Sequence, residues 1–177
     1  MKFKPSYTSS IAEDIMAERL IRAQAVEFLA DAPMRLKSGL ISPVYVDNRK
    51  LFSHPEAWRD IVETMASRVE EYDLEFDIVA GVEAAGSMHA AALAYRLGLP
   101  AIMVRQKAKT YGNHSRIEGG DVKGMRVLLL EDHISTGLSC LDAIRALRGE
   151  GAQVTQVMSI TNYAIPETQR LFKQEGI

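Results

Sequence analysis

The chain has 177 residues, enough for one domain with a sizeable core, and no repeat, low-complexity tract or linker divides 1–177. Its hydrophobic residues make up 47% and its charged residues 25%, an ordinary globular balance, and a formal net charge of −2 argues against a general nucleic-acid surface. Its single cysteine, Cys140, excludes an internal disulfide and suits a reducing cytoplasm, while no stretch has the apolar length of a signal peptide core or a membrane span, so no membrane partner is expected.

Ser9 and Ser10 can cap a helix over roughly Ile11 to Leu29, with Ile15, Leu20, Ile21, Val26, Phe28 and Leu29 as its apolar faces. Met34 to Lys37 and Pro43 to Val46 read as short extended segments around a Ser38-Gly39 turn. A helix follows Ser53, from about Pro55 to Glu71, where Ile61, Met65 and Val69 recur four residues apart. Phe76 to Ala80 is predicted as a strand, Gly86 to Leu97 as a helix and Ala101 to Val104 as a strand. Arg105 to Lys123 is polar, rich in glycine and without an apolar period, so it reads as a long loop. A loop of this length is commonly functional.

Val127 to Leu130 is an aliphatic run without polar alternation, the pattern of a strand buried on both faces of a parallel sheet. A helix is expected from about Ser139 to Arg148, a strand over Val154 to Ile160 and a short helix near Thr168 to Gln174. Strands alternating with helices predict an α/β fold with a central parallel sheet flanked by helices. The segment up to about residue 52 would form a hood over the strand ends of a core from about 53 to 177.

The chemistry concentrates in VLLLEDHISTGLS, Val127 to Ser139. Glu131 and Asp132 emerge at the carboxyl end of the aliphatic strand, where open α/β sheets bind ligands. Ser135, Thr136, Gly137 and Ser139 offer hydroxyls and approachable N–H groups, and the next helix points its positive N-terminus at the same spot. Acids suit sugar hydroxyls or Mg²⁺, and the loop suits a phosphate. Together they suit a ribose 5-phosphate.

Gly81 to Ser87, GVEAAGS, has the glycine spacing of a triphosphate loop without the lysine that should follow. It is either a backbone anion loop or a tight strand–helix turn. Glu83 would face the site or water. Arg105, Lys107, Lys109, His114 and Arg116 make the long loop cationic, as a lid over a departing pyrophosphate would be. Lys37 can reach a phosphate or a base carbonyl. Asp47, Asn48 and Arg49 read equally as site groups or as turn contacts of the hood. The four histidines lack metal-ligand spacing, so no protein-held metal is expected. Cys140 reads as a packed residue.

The Val127–Ser139 segment resembles the PRPP-binding motif of type I phosphoribosyltransferases. LKSGLISPVYVDNRKL, VAGVEAAGSMHAAALA, VRQKAKTYGNHSRIEG and SITNYAIP resemble, in family order, the hood, pyrophosphate loop, catalytic loop and post-motif strand of the orotate-specific branch. The resemblance implies the type I phosphoribosyltransferase fold. It also implies Mg²⁺-dependent transfer of a phosphoribosyl group from PRPP to orotate, with Mg²⁺ carried by PRPP and pyrophosphate. By position it makes Lys109 the catalytic-loop lysine, Arg105 the arginine that clamps PRPP, and Glu131 and Asp132 the ribose-binding acids. Ser135, Thr136, Gly137, Leu138 and Ser139 would be the 5-phosphate cradle, and Lys37 a hood contact to substrate. Gln106 and Tyr111 stand where members have lysine and histidine, and Leu138 where they have Gly or Thr. The chain also stops at Ile177, short of the last strand and helix many members have. The family's catalytic loop reaches the neighbouring subunit, which implies a homodimer.

Overall fold

A computed structural model describes residues 11–35, 39, 41–108 and 115–177. Helix α1 covers Ile11–Arg22. It ends where Gln24 takes a left-handed conformation, φ 53°. There the Ala25 N–H donates to the Leu20 carbonyl at 2.8 Å and the Gln24 N–H to that of Ile21 at 2.9 Å, the bond pair of a Schellman cap. The single helix expected to reach Leu29 is therefore two elements. Val26 and Phe28, read as helix face, belong to strand β1, Val26–Phe28. Here β-branched and aromatic residues pair across strands.

Strand β2 is Met34–Arg35, β3 is Ile41–Ser42 and β4 is Val44–Val46. β1 pairs antiparallel with β4, and β2 with β3, giving two small ribbons. A 3₁₀ turn over Asn48–Ser53 leads into α2, Pro55–Glu71. Pro55 sits at the first helical position, where its missing N–H costs nothing.

The main sheet contains β5 (Ile78–Val82), β6 (Ala101–Val104), β7 (Ile117–Glu118), β8 (Arg126–Ile134) and β9 (Gln153–Asn162). Their spatial order is β7-β6-β5-β8-β9, and all pairings are parallel except β6 with β7. Helices α3 (Ala85–Leu97), α4 (Leu138–Gly149) and α5 (Pro166–Gln174) complete the chain.

Successive side chains of the central strands enter opposite layers. Val79, Leu128 and Leu130 join Ile61, Met65 and Leu93 in one apolar layer. Ile78, Ala80, Val127 and Leu129 join Ile144 and Leu147 in the other. Side chains alternate across a strand, so an unbroken apolar run feeds both layers.

Several element limits differ from expectation, three of them near the strand ends of the main sheet. β8 does not stop at Leu130 but runs through Glu131 and Asp132 to Ile134, because β9 keeps pairing with it as far as Ile134↔Asn162. β7 lies inside the segment read as loop, held by Met103↔Glu118 and Val104↔Ile117. β5 begins two residues later than predicted, at Ile78. The β8–β9 ladder also carries a bulge. Val127 pairs with Val154 but Leu128 with Gln156, leaving Thr155 as the extra residue.

Candidate active site

The chain passes from β5 out to β6, then returns to place β8 on the other side of β5. That reversal opens a crevice outside the carboxyl ends of β5 and β8, the usual ligand position in such sheets. A cleft of about 470 Å³ lies there. Its walls include Glu131, Asp132 and His133 from β8, Ser135 and Ser139 from the following turn and helix, and Glu83 to Ala85 after β5. Gln106 lines it from beyond β6, Tyr163 from beyond β9, and Tyr45, Asp47 and Arg49 from the N-terminal segment.

Glu131 is 7% exposed. Burial pushes its carboxyl well above the usual carboxylate range, and its neighbour Asp132 pushes the same way. The Asp132 N–H donates to Glu131 Oε1 at 3.2 Å. Asp132 itself is half-buried. The pair thus combines one acid held toward its neutral form with a second, more accessible carboxyl group. Such a pair can both donate to and accept from vicinal sugar hydroxyls.

After β8 the chain turns through Ser135 and Thr136 to Gly137, which caps α4 at φ 74°. A Cβ there would stand 2.8 Å from Thr168 Cγ2 and 2.9 Å from Phe172 Cε1, so both conformation and space call for glycine. Thr168 Oγ1 donates to the Ser135 carbonyl at 2.8 Å and fixes the turn from α5. No side chain caps α4 and no acid sits in its first turn. Its first N–H groups therefore remain available to an anion. Leu138 is 63% exposed.

The two glycines of the GVEAAG segment serve packing. A Cβ at Gly81 would collide with Ser87 Cα and would lie 2.6 Å from the Gly86 carbonyl oxygen. One at Gly86 would lie 2.8 Å from the Leu130 carbonyl oxygen. These contacts describe a tight strand–helix turn that also lines the cleft through Glu83, Ala84 and Ala85. Within it, Glu83 accepts the Gln106 N–H at 3.1 Å, and Gln106 Nε2 donates to the Glu83 carbonyl at 3.2 Å.

Arg105 does not line the cleft in this conformation. Its Nη1 donates to Glu118 of β7 at 2.9 Å, and its N–H and carbonyl bond Arg116. Lys37, Lys109 and Tyr111 lie outside the described residues, as does His114. Cys140 is buried, and burial raises its thiol further, so it is a packing group. Tyr45 escaped the sequence reading. Its only signal was an aromatic residue in an extended hood segment.

Arg49 is held by Asp47, whose Oδ1 and Oδ2 accept from it at 2.6 and 2.9 Å. It is the only arginine or lysine lining the cleft among the described residues. His133 and Tyr163 meet edge to face, ring centroids 4.5 Å apart. Burial holds the His133 imidazole below its usual range, hence neutral.

An acid pair at a strand end, in one cleft with an uncapped helix N-terminus, makes this an α/β protein whose site suits a phosphorylated sugar. A model of the phosphoribosyl transferase domain matches residues 47–171. The orotate phosphoribosyltransferase of Coxiella burnetii is 45% identical over 162 residues, covering 92% of this chain and 78% of its own length. The crystal structure of orotate phosphoribosyltransferase from Aeropyrum pernix superposes with a TM-score of 0.78 at 30% identity, over 92% of this chain and 89% of that one. The Mycobacterium tuberculosis enzyme in complex with PRPP superposes at 0.72 with 26% identity, over 94% and 91%. The chain belongs to the orotate phosphoribosyltransferase family. Among the described residues no helix is long and apolar enough to cross a membrane.

Proposed function

We propose that this chain transfers the 5-phosphoribosyl group of PRPP to orotate, yielding orotidine 5′-monophosphate and pyrophosphate in pyrimidine biosynthesis. It is a pentosyltransferase. The observation that supports this most is one cleft holding both the Glu131–Asp132 pair and the uncapped N-terminus of α4. The acids bind the ribose hydroxyls. Ser135, Thr136, Gly137, Leu138 and Ser139 cradle the 5-phosphate through hydroxyls and N–H groups.

Pyrophosphate leaves C1 as the sugar becomes oxocarbenium-like, so the site has little covalent work to do. It holds the base near C1, stabilises the leaving anion and excludes water. Lys109 and Arg105 supply positive charge as the loop closes, Gln106 and Tyr111 add hydrogen bonds, and Lys37 contacts substrate from the hood. Asp132, half-buried on the cleft wall, suits the water shell of a hard cation as well as a hydroxyl. Mg²⁺ carried on PRPP neutralises part of the leaving-group charge when bound. The hood to about residue 52 and the core beyond it work as one domain, and two copies pair so that each loop serves its partner's cleft. The protein acts in the cytoplasm.

The test is incubation with PRPP, Mg²⁺ and, separately, orotate, uracil, hypoxanthine or adenine. The expected outcome is orotidine monophosphate from orotate alone, slowed on the order of 10²–10³-fold by Lys109→Ala. Product from another base, or none despite measurable PRPP binding, overturns the assignment.

A further inference from the structure

We propose that Asn48 is a positioning residue for the acid strand, fixing the Asp132 main chain from the N-terminal segment through a buried amide shared with Thr161. This inference rests on the phosphoribosyl-transfer reading and extends it to residues that touch no substrate.

Asn48 opens the 3₁₀ turn and is 0% exposed. Its Nδ2 donates to the Asp132 carbonyl at 2.6 Å and to Thr161 Oγ1 at 2.8 Å. Those partners lie 84 and 113 residues away in sequence, on β8 and β9. The Thr161 hydroxyl also meets His133 Nδ1 at 2.9 Å, its cross-strand neighbour. The chain of contacts continues through the His133–Tyr163 ring pair to the Tyr163 hydroxyl, which donates to the Val44 carbonyl at 2.9 Å. The N-terminal segment is thereby joined to the strand end at two points, on either side of Tyr45.

Stability alone does not account for this amide. Asn48 Oδ1 is buried with no partner among the described residues. Buried polar groups are ordinarily paired, so the two bonds from Nδ2 are kept at the cost of an unpaired Oδ1. What the amide adds is direction. It binds the main chain of an acid facing the cleft, in the segment that also carries Tyr45 and Arg49. Asn48 thus sets the distance between the wall that meets the base and the wall that meets the ribose, and small misplacements of reacting groups cost rate steeply.

Steady-state kinetics with each substrate varied, alongside thermal melts, test this. Asn48→Ala is expected to raise KM for PRPP about tenfold and lower kcat on the order of tenfold per folded molecule, with KM for orotate within about twofold. Thr161→Val, which keeps shape and loses the hydroxyl, moves the same constants in the same direction by less. Thr161→Ser recovers most of that loss. A lowered melting temperature with unchanged kcat and KM for PRPP would overturn the inference. If Asn48→Ala fails to fold, wild-type kinetics in Thr161→Val overturns it instead. Should the unmodified chain produce no nucleotide, it is the functional reading that fails, and calorimetric PRPP affinities of the same variants still decide the role of Asn48.

Discussion

Gly86 lies against Glu131: a Cβ on Gly86 would stand 3.2 Å from Glu131 Oε1 and 3.3 Å from its Cα, as well as 2.8 Å from the Leu130 carbonyl oxygen. The missing side chain lets α3 press onto the acid strand, and that pressure is part of what buries Glu131. Gly86→Ala is expected to destabilise the protein by about 1–3 kcal/mol, since backbone must move. It should weaken PRPP binding more than the stability change explains, because Glu131 moves with the strand. Urea melts and PRPP titration of the same preparation separate the two effects.

Glu131→Gln should separate stability from function in the opposite sense. The Glu131 carboxyl titrates above its unfolded value. Its contribution to stability is therefore complete below the unfolded pKa, near 4.5, and is lost as pH rises through the folded pKa. The neutral amide avoids that loss. The variant should match the wild type near pH 4 and melt higher at pH 8, by roughly 2–4 °C for each kcal/mol regained, while PRPP affinity falls. A variant that melts lower at pH 8 contradicts this account.

His89 governs the acid side. It is fully buried, and its Nδ1 accepts from Trp58 Nε1 at 3.0 Å. Burial lowers its pKa to about 4 from 6.5. The unfolded chain then binds the extra proton first, so stability falls as pH drops below 6.5, by about 2 kcal/mol between pH 7 and 5. His89→Gln keeps an acceptor for Trp58 and should flatten that slope. Denaturant midpoints at the two pH values read the difference.

Gly137→Ala combines a left-handed residue with a collision against Thr168 and Phe172. A loss of about 2 kcal/mol is expected, with PRPP affinity falling further as the α4 N-terminus shifts. Adding Phe172→Ala should relieve the contact to the ring but not the backbone term. Thermal melts of the single and double variants would show how the loss divides.

Where the chain announced its structure, local chemistry was enough. Pro55 after a polar pair, with Ile61, Met65 and Val69 on one face, placed α2 at its observed limits. The aliphatic run from Val127 and the small residues after Ile134 located the cleft. The misreadings share one physical origin, namely partners remote in sequence. Val26 and Phe28 fit an amphipathic helix until Val46 and Val44 offer a strand. Ile117 and Glu118 become strand only beside β6. Glu131 to Ile134 looked like a strand exit because charge follows aliphatics, yet β9 extends the ladder beneath them. Asn48 looked like one polar residue among three, and only the folded chain reveals which carbonyl it meets.

The bulge at Thr155 has a reach beyond its own turn. In the observed register His133 faces Thr161, whereas the same residues paired without the bulge, Thr155 opposite Leu128, would set Ile160 opposite it. The hydroxyl that meets Asn48 and His133 is thus specified by a count of residues some distance away, at the opposite end of the strand. Gain of a single codon between the bulge and the cleft, with every residue around the cleft unchanged, would turn an aliphatic side chain toward Asn48 and the hydroxyl away from it. In this sheet insertions and deletions, as much as substitutions, are the mutations that can rewrite the contacts behind the acid strand.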